Sequence, residues 1–222
     1  MHDQNRHARL LALGLAMLAG FVDAMGFLAL GGVFVSFMSG NSTRLGAGIA
    51  QPDHLLAALL PFAVIVLFVI GVMIGKIIRH KRKNPATVIL SFMTVMLLLA
   101  AASYQTALPH IPFLFMILAM GSANNVFVRD GEVAIGVTYM TGTLVKLGQR
   151  LANVYLGEAR HDWKPYLFLW CALVSGAVMG AACFYYAGLS GLWIAGLFCA
   201  MLVFTARKLD KEQTLTKADT AS

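Results

Sequence analysis

Residues 55–75 of this chain carry no charge, nor do 86–109, 111–128 and 165–206. A helix needs ~20 mostly apolar residues to cross the hydrocarbon of a bilayer. In lipid the backbone must satisfy its own hydrogen bonds, so such stretches fold as spanning helices. Hydrophobic residues make up 59% of the 222 positions and charged residues only 12%. A soluble domain of this length could not hide so much apolar surface. The last stretch is interrupted by Gly188-Leu-Ser190-Gly191 and reads as two helices joined by a tight turn. With 10–30 as the first span, six spans are predicted: 10–30, 55–78, 86–105, 111–128, 165–187 and 191–207. The fold class is all-α, a polytopic membrane protein with a single membrane domain over 1–222. Residues 208–222 read as a polar cytoplasmic tail. The first apolar run continues past Asp23 without a small-residue cleavage site, so it reads as a span rather than a cleaved signal peptide.

The net charge of +7 follows this topology and is no nucleic-acid signature. Arg6 and Arg9 precede the first span. Lys76, Arg79, Lys81, Arg82 and Lys83 close the second. Arg129, Lys146, Arg150, Arg160 and Lys164 lie between the fourth and fifth, and Arg207, Lys208, Lys211 and Lys217 follow the sixth. One side of the membrane then holds every Lys and Arg except Arg44. The positive-inside rule places both termini in the cytoplasm. An eight-span alternative, with 33–50 and 133–150 crossing fully, would put the Arg79–Lys83 cluster outside.

A short pattern occurs twice. Gly20-Phe-Val-Asp23-Ala24 is followed by Met38-Ser39-Gly40-Asn41-Ser42-Thr43-Arg44. Gly121-Ser-Ala-Asn124-Asn125 is followed by Met140-Thr141-Gly142-Thr143 and Lys146. Gly71-Val-Met-Ile-Gly75 in the second span matches Gly176-Ala-Val-Met-Gly180 in the fifth, and this small-x-x-x-small spacing suits close helix contacts. The repeat unit is therefore three spans, 10–105 and 111–207. Three is odd, so the second copy enters the membrane from the opposite side, a 3+3 inverted repeat.

Segments 31–50 and 131–150 are apolar at first and then carry Gly, hydroxyl residues and one cation. Each reads as re-entrant, bent at Gly40 or Gly142, or else as an amphipathic surface helix. In the re-entrant form, free amides and Asn41, Ser42, Thr43, Thr141 and Thr143 could coordinate a solute where the halves meet. Asp23 is the one acidic residue of ten inside a predicted span. A carboxylate there must be protonated, paired or facing water. Asn124 holds the matching place without the charge, which suggests a proton or cation role for Asp23; the alternative is a structural hydrogen bond between helices. Arg44 and Lys146 follow the two motifs at matching distances and suit a small anion, unless they snorkel to the membrane surface.

The remaining chemistry is sparse. Cys171, Cys183 and Cys199 all lie within spans and read as packing residues. His2, His7, His54, His80, His110 and His161 sit at or beyond span ends without i+3 or i+4 partners, so no metal is expected, nor any cofactor. No catalytic constellation appears at membrane depth, so no enzyme activity is expected.

The motifs Gly20-Phe-Val-Asp23-Ala24, Met38-Ser39-Gly40-Asn41, Ala119-Met120-Gly121 with Asn124, and Thr138-Tyr139-Met140-Thr141-Gly142-Thr143 resemble the YoaK-type family of small bacterial inner-membrane proteins, a domain of unknown function. The resemblance covers nearly the whole chain. Ser39 stands where the family usually has Thr, and Ala123 where it often has Gln. The resemblance implies the architecture and a bacterial inner-membrane location, and it supplies no substrate.

Read together, these features point to a small-solute transporter, with an anionic or polar organic substrate favoured and proton coupling through Asp23. Its site would lie at the midplane between the repeats, lined by Asp23, Gly40, Asn41, Ser42, Thr43, Arg44, Asn124, Thr141, Gly142, Thr143 and Lys146. A channel using the same loops, or a membrane scaffold or assembly protein, are the alternatives. Expected partners are a small molecule or ion, membrane lipid and a second copy of the chain, since six short helices offer little mass around a cavity.

Overall fold

A computed structural model describes residues 4–51, 55–105, 110–129, 132–133, 139–157 and 163–219. The helices are α1 (Gln4–Ala29), α2 (Met38–Ile49), α3 (Leu55–Arg79), α4 (Pro85–Ser103), α5 (Ile111–Ala123), α6 (Met140–Tyr155), α7 (Lys164–Ala187) and α8 (Leu192–Asp219). Pro85, Pro112 and Pro165 stand in the first turns of α4, α5 and α7, where a missing N–H costs nothing. The break expected in the last apolar stretch is present. Gly188, at φ +58°, ends α7, and a 3-10 turn over Gly188–Gly191 leads into α8.

Among the described residues, four stretches are long and apolar enough to cross a membrane: Arg6–Ala29, Leu56–Arg79, Pro85–Ser103 and Lys164–Lys211, the last containing α7 and most of α8. The expected fourth span is the exception. α5 has 13 residues and stops at Ala123, about 20 Å of helix rather than a full crossing. The N–H groups of Asn125 and Val126 reach back to the carbonyls of Ser122 and Ala123, tightening the last turn. A two-residue hairpin follows, β1 (Val128–Arg129) against β2 (Glu132–Val133), with Val128 opposite Val133 and Arg129 opposite Glu132.

Packing between helices is set by the glycines. A β-carbon added at Gly20 of α1 would collide with the Leu173 carbonyl of α7, and its next neighbour would be the Ala177 nitrogen at 2.9 Å. At Gly176 and Gly180 of α7 it would strike the carbonyls of Met17 and Phe21. The contact of α3 with α5 has the same form. A β-carbon at Gly121 would strike the Phe68 carbonyl and lie 3.0 Å from the Val72 nitrogen. At Gly71 it would lie 2.7 Å from the Leu118 carbonyl, and at Gly75 3.0 Å from the Ser122 Cα. Close approach without Cβ atoms is what small residues permit in lipid. In both pairs the residue order runs the same way along the two helices, so α1 is parallel to α7 and α3 to α5.

α8 runs antiparallel to α4, with Gly196 beside Leu98, the Cys199 thiol 3.6 Å from the Leu90 carbonyl, and Asp210 at the start of α4. It is also antiparallel to α1, with Gly191 near Met25 and Gly14 against Leu202. The core between α1, α4, α5 and α8 is apolar and includes Leu15, Met25, Met93, Leu97, Met116, Met120 and Leu192, all at most 1% exposed. The outward faces of α3, α7 and α8 are apolar as well, with Leu56, Ile77, Val178, Tyr185 and Phe204 all more than 60% exposed.

α8 continues beyond position 207, where a polar tail was expected, because Leu209 and Asp210 remain buried against the bundle. The Asp210 carboxylate accepts hydrogen bonds from the N–H groups of Ala86 (3.4 Å) and Thr87 (2.9 Å), capping α4 from a distant part of the chain. Asp210→Ala should therefore lower the midpoint of thermal unfolding in detergent, at a cost of about 0.5–2 kcal/mol, the usual range for a lost N-terminal cap.

Segments 31–50 and 131–150 differ from the expectation in where they bend. Gly40 and Gly142 lie inside the first turns of α2 and α6, not at bends. In the first segment the break falls earlier, at 30–37, where Gly31 (φ +63°) and Gly32 (φ +97°) take the left-handed backbone that only glycine adopts without strain. The equivalent stretch 134–138 lies outside the described residues.

Candidate functional site

The non-helical stretch between α1 and α2 exposes backbone groups among apolar helices, and three side chains from the first copy of the repeated pattern satisfy them. Asp23, on α1, accepts through Oδ1 from the N–H groups of Val35 and Ser36, both at 2.8 Å. Asn41, fully buried on α2, grips Phe34 at both ends. Its Oδ1 accepts from the Phe34 N–H at 3.0 Å, and its Nδ2 donates to the Phe34 carbonyl at 2.7 Å. Arg44, one turn further, donates from Nη1 to the Gly32 carbonyl at 2.6 Å and from Nη2 to the Gly31 carbonyl at 3.4 Å. The backbone contributes as well, with the Gly32 N–H on the Phe27 carbonyl at 2.7 Å. Phe27, Phe34 and Phe37 stack over the outside, with ring centroids 4.7 Å and 5.2 Å apart. Gly40 makes room for them, since a β-carbon there would lie 2.7 Å from the Phe37 ring.

Asp23, Asn41 and Arg44 thus converge on one loop although Asp23 stands far from the other two in sequence. Spacing explains part of this: Asn41 and Arg44 are three apart on a helix and share a face. Ser42 and Thr43 point elsewhere, and their hydroxyls donate to the Met38 and Ser39 carbonyls of their own helix at 2.9 Å and 3.2 Å. Ser39, Ser42, Thr43 and Arg44 are exposed, giving α2 a polar outer face.

The second copy of the motif lies elsewhere. Asn124 is buried at the end of α5, and its Nδ2 approaches the carbonyls of Met120 (3.4 Å) and Gly121 (3.5 Å). Thr143 is buried and matches Asn41 in position; its hydroxyl lies 3.5 Å from the Tyr139 carbonyl. Thr141, Gly142 and Lys146 are exposed on α6. α2 packs on the start of α3, where Gly48 meets Ala58, whereas α6 packs on α7 and makes no contact with α2 among the described residues. Because α7 is parallel to α1, α6 sits at the end of the bundle where α1 begins, and α2 at the end where α1 stops. The residues expected to line one hollow therefore fall into two groups. The reason is the parallel pairing of α1 with α7, which carries the two short helices to opposite ends.

Neither of two open clefts joins these groups. One, of about 390 Å³, is an apolar groove lined by Leu45, Ile49, Leu56, Ala58, Leu59 and Phe62 between α2 and α3. The other, of about 640 Å³, is polar and lies between α6 and α7, lined by Lys146, Gln149, Arg150, Asn153 and Tyr166.

Sequence reasoning missed a second set of polar contacts at the end where α1 begins. Arg79 donates from Nη1 to the Asn125 carbonyl at 2.6 Å, and the Asn125 Nδ2 donates to the Val72 carbonyl at 3.0 Å. Arg79 also feels the charge of Asp210. Asn125 was visible as a second amide beside Asn124. Nothing local marked Arg79 or Asp210, because both sit where a helix-end charge is ordinary.

The family described as "Protein of unknown function (DUF1275)" matches residues 11–205 of this sequence. The chain belongs to the DUF1275 family. The curated "UPF0700 transmembrane protein RA0705" of Rhizobium meliloti (strain 1021) is 32% identical over 204 residues, covering 90% of this chain and 87% of that protein. The "UPF0700 transmembrane protein YoaK" of Bacillus subtilis (strain 168) is 30% identical over 141 residues, covering 60% of this chain and 62% of that protein. No solved structure matches. The family is thus the YoaK-type one that the motifs resemble, and this member is a helical membrane protein.

Proposed function

We propose that the protein is a small-solute transporter of the bacterial inner membrane, built as two halves of opposite orientation, α1, α3 and α4 against the shorter α5 with α7 and α8, with both termini in the cytoplasm. The reading of two halves is supported by the exchanged glycine contacts, Gly20 with Leu173 and Ala177, and Gly121 with Phe68 and Val72. It is supported further by the antiparallel course of α4 and α8, the last spans of the two halves. An axis in the membrane plane relates such halves, and discontinuous helices at their interface commonly form solute sites.

The observation that carries the transport reading is the non-helical stretch 30–37 between the spanning helix α1 and the short helix α2, held by Asp23, Asn41 and Arg44. Irregular backbone persists at membrane depth where it is packed on protein or lines a water-filled cavity. Here the stretch is packed by Asp23 and Asn41, and the exposed Arg44 reaches its Gly31 and Gly32 carbonyls. In this proposal the loop is the mouth on one face, and the start of α6, with Thr141, Gly142, Thr143 and Lys146, is the mouth on the other. An anionic or polar organic solute meets Arg44 at the first and Lys146 at the second. Asp23 carries the coupling proton.

Reconstitution in proteoliposomes tests this. Wild-type protein should take up one or a few members of an anionic metabolite panel saturably, faster with a proton gradient. Asp23→Asn keeps an acceptor for Val35 and Ser36, so it should fold yet lose the dependence on the gradient. Flux that never saturates would make the protein a channel.

A second reading, a membrane scaffold or assembly protein, is favoured by one observation: Asp23, Asn41 and Arg44 all serve the loop's own backbone. Uptake of no solute above empty vesicles, by protein that remains folded, would select it.

A further inference from the structure

The elbow that joins α3 to α4, residues 80–84, is exposed throughout and carries Lys81, Arg82 and Lys83. Lys81 has φ +57°, and it is the one non-glycine with positive φ among the described residues. A side chain with a β-carbon rarely takes that backbone, and it persists where the surroundings hold it.

Both flanks of the elbow are held by the second half of the chain. On one flank Arg79, the last residue of α3, donates to the Asn125 carbonyl just past the end of α5, at 2.6 Å. The Asn125 Nδ2 returns the contact on the Val72 carbonyl of α3 at 3.0 Å. On the other flank the Asp210 carboxylate of α8 accepts from the N–H groups of Ala86 and Thr87, which have no partner within the first turn of α4. A cation at the carbonyl end of α5 and an anion at the N–H end of α4 each complement a helix dipole. The charge of Asp210 also acts on Arg79, so one carboxylate serves both flanks. Beneath the elbow lie Ser122, Asn124 and Asn125, all at most 4% exposed. Gly75 lets α3 close over them, since a β-carbon there would lie 2.7 Å from the Asn125 Nδ2. At the opposite end of the bundle, Asp23 and Arg44 bond only within the first half. Among the described residues, the hydrogen bonds from charged side chains that cross between the halves therefore all fall at this elbow.

We propose that Arg79 and Asp210 act together as one clasp, which pins the α3–α4 elbow and shuts this end of the bundle over the buried polar end of α5. Release of either flank frees the other, and the end opens only when both let go. In the orientation proposed above this is the cytoplasmic end. Its use as a gate rests on the transport reading; the clasp itself does not.

Hydrogen–deuterium exchange of the full chain in neutral detergent, read by mass spectrometry over 84–88 and 122–127, needs no solute. Arg79→Gln discharges one flank and Asp210→Asn the other. Each substitution should speed exchange about tenfold or more at both segments, because losing a charged hydrogen bond on one flank loosens the other. The double variant R79Q/D210N should be little faster than either single one. Two unrelated caps would behave differently: R79Q would speed only 122–127, D210N only 84–88, and the double variant would simply show both effects. That pattern, or wild-type exchange in all three variants, would overturn the proposal. Should the variants fail to fold, the wild type decides: with rising urea the two segments should open as a single unit, and openings at different urea concentrations would overturn the clasp. Coupled exchange in a protein that takes up no solute would keep the clasp and remove only its use as a gate.

Discussion

Gly176→Val should abolish stable folding, whereas Gly142→Ala should be tolerated or stabilising. A β-carbon at Gly176 would collide with the Met17 carbonyl, a backbone atom that cannot rotate away. α1 and α7 would have to separate along their closest contact, where Gly20 and Gly180 also meet backbone of the other helix. Overpacking costs about 1–3 kcal/mol where side chains can yield; a collision with backbone at the tightest helix pair should exceed that and leave little folded protein. Gly71→Val, at the matching place on α3 with the Leu118 carbonyl 2.7 Å away, should fail in the same way. At Gly142 nothing among the described residues lies within 4 Å of the added carbon, and the residue is in a helix, so alanine should gain about 0.5–1 kcal/mol. Folded yield by size-exclusion profile and the midpoint of thermal unfolding would measure all three. A folded Gly176→Val protein, or a Gly142→Ala protein that fails to fold, would refute this assignment of structural and free glycines.

Asn41→Ala should be the most damaging polar substitution in the first half. It strips the partner from both the N–H and the carbonyl of Phe34, and each unsatisfied buried group costs about 1–3 kcal/mol. Asn41→Asp should rescue little, because a carboxylate accepts from the N–H but repels the carbonyl. Ser42→Ala, by contrast, removes only a bond to the Met38 carbonyl on an exposed helix face and should be near neutral. Thermal unfolding of the three variants ranks them directly, and equal midpoints for Asn41→Ala and Ser42→Ala would refute the role of Asn41 as the clamp of the loop.

These two experiments separate features that look alike in the chain. Gly40, Gly142, Gly71 and Gly176 are all glycines in apolar surroundings, yet the first two stand in the first turns of short helices and the last two against neighbouring backbone. The small-x-x-x-small spacing of 71/75 and 176/180 marked the second pair as contact residues. Their partners lie in the other half of the chain, and no local pattern names them. Asp23 and Asn41 were legible as polar residues needing explanation at membrane depth. Their role was not, because the groups they satisfy belong to Phe34, Val35 and Ser36, residues with no distinguishing side-chain signal.

Apolar run length, the distribution of Lys and Arg, the Gly188–Gly191 break and the paired motifs were enough, without any coordinates, to dictate a helical membrane protein and the positions of most of its helices. That information is local: hydrocarbon solvation acts on each stretch in turn, and backbone hydrogen bonding closes within each helix. Where α5 stops, which helices pair, and whether the two motifs share one hollow are set by contacts between residues a hundred positions apart. Parallel pairing of α1 with α7 and α3 with α5 sends α2 and α6 to opposite ends, and only the packed bundle contains that fact.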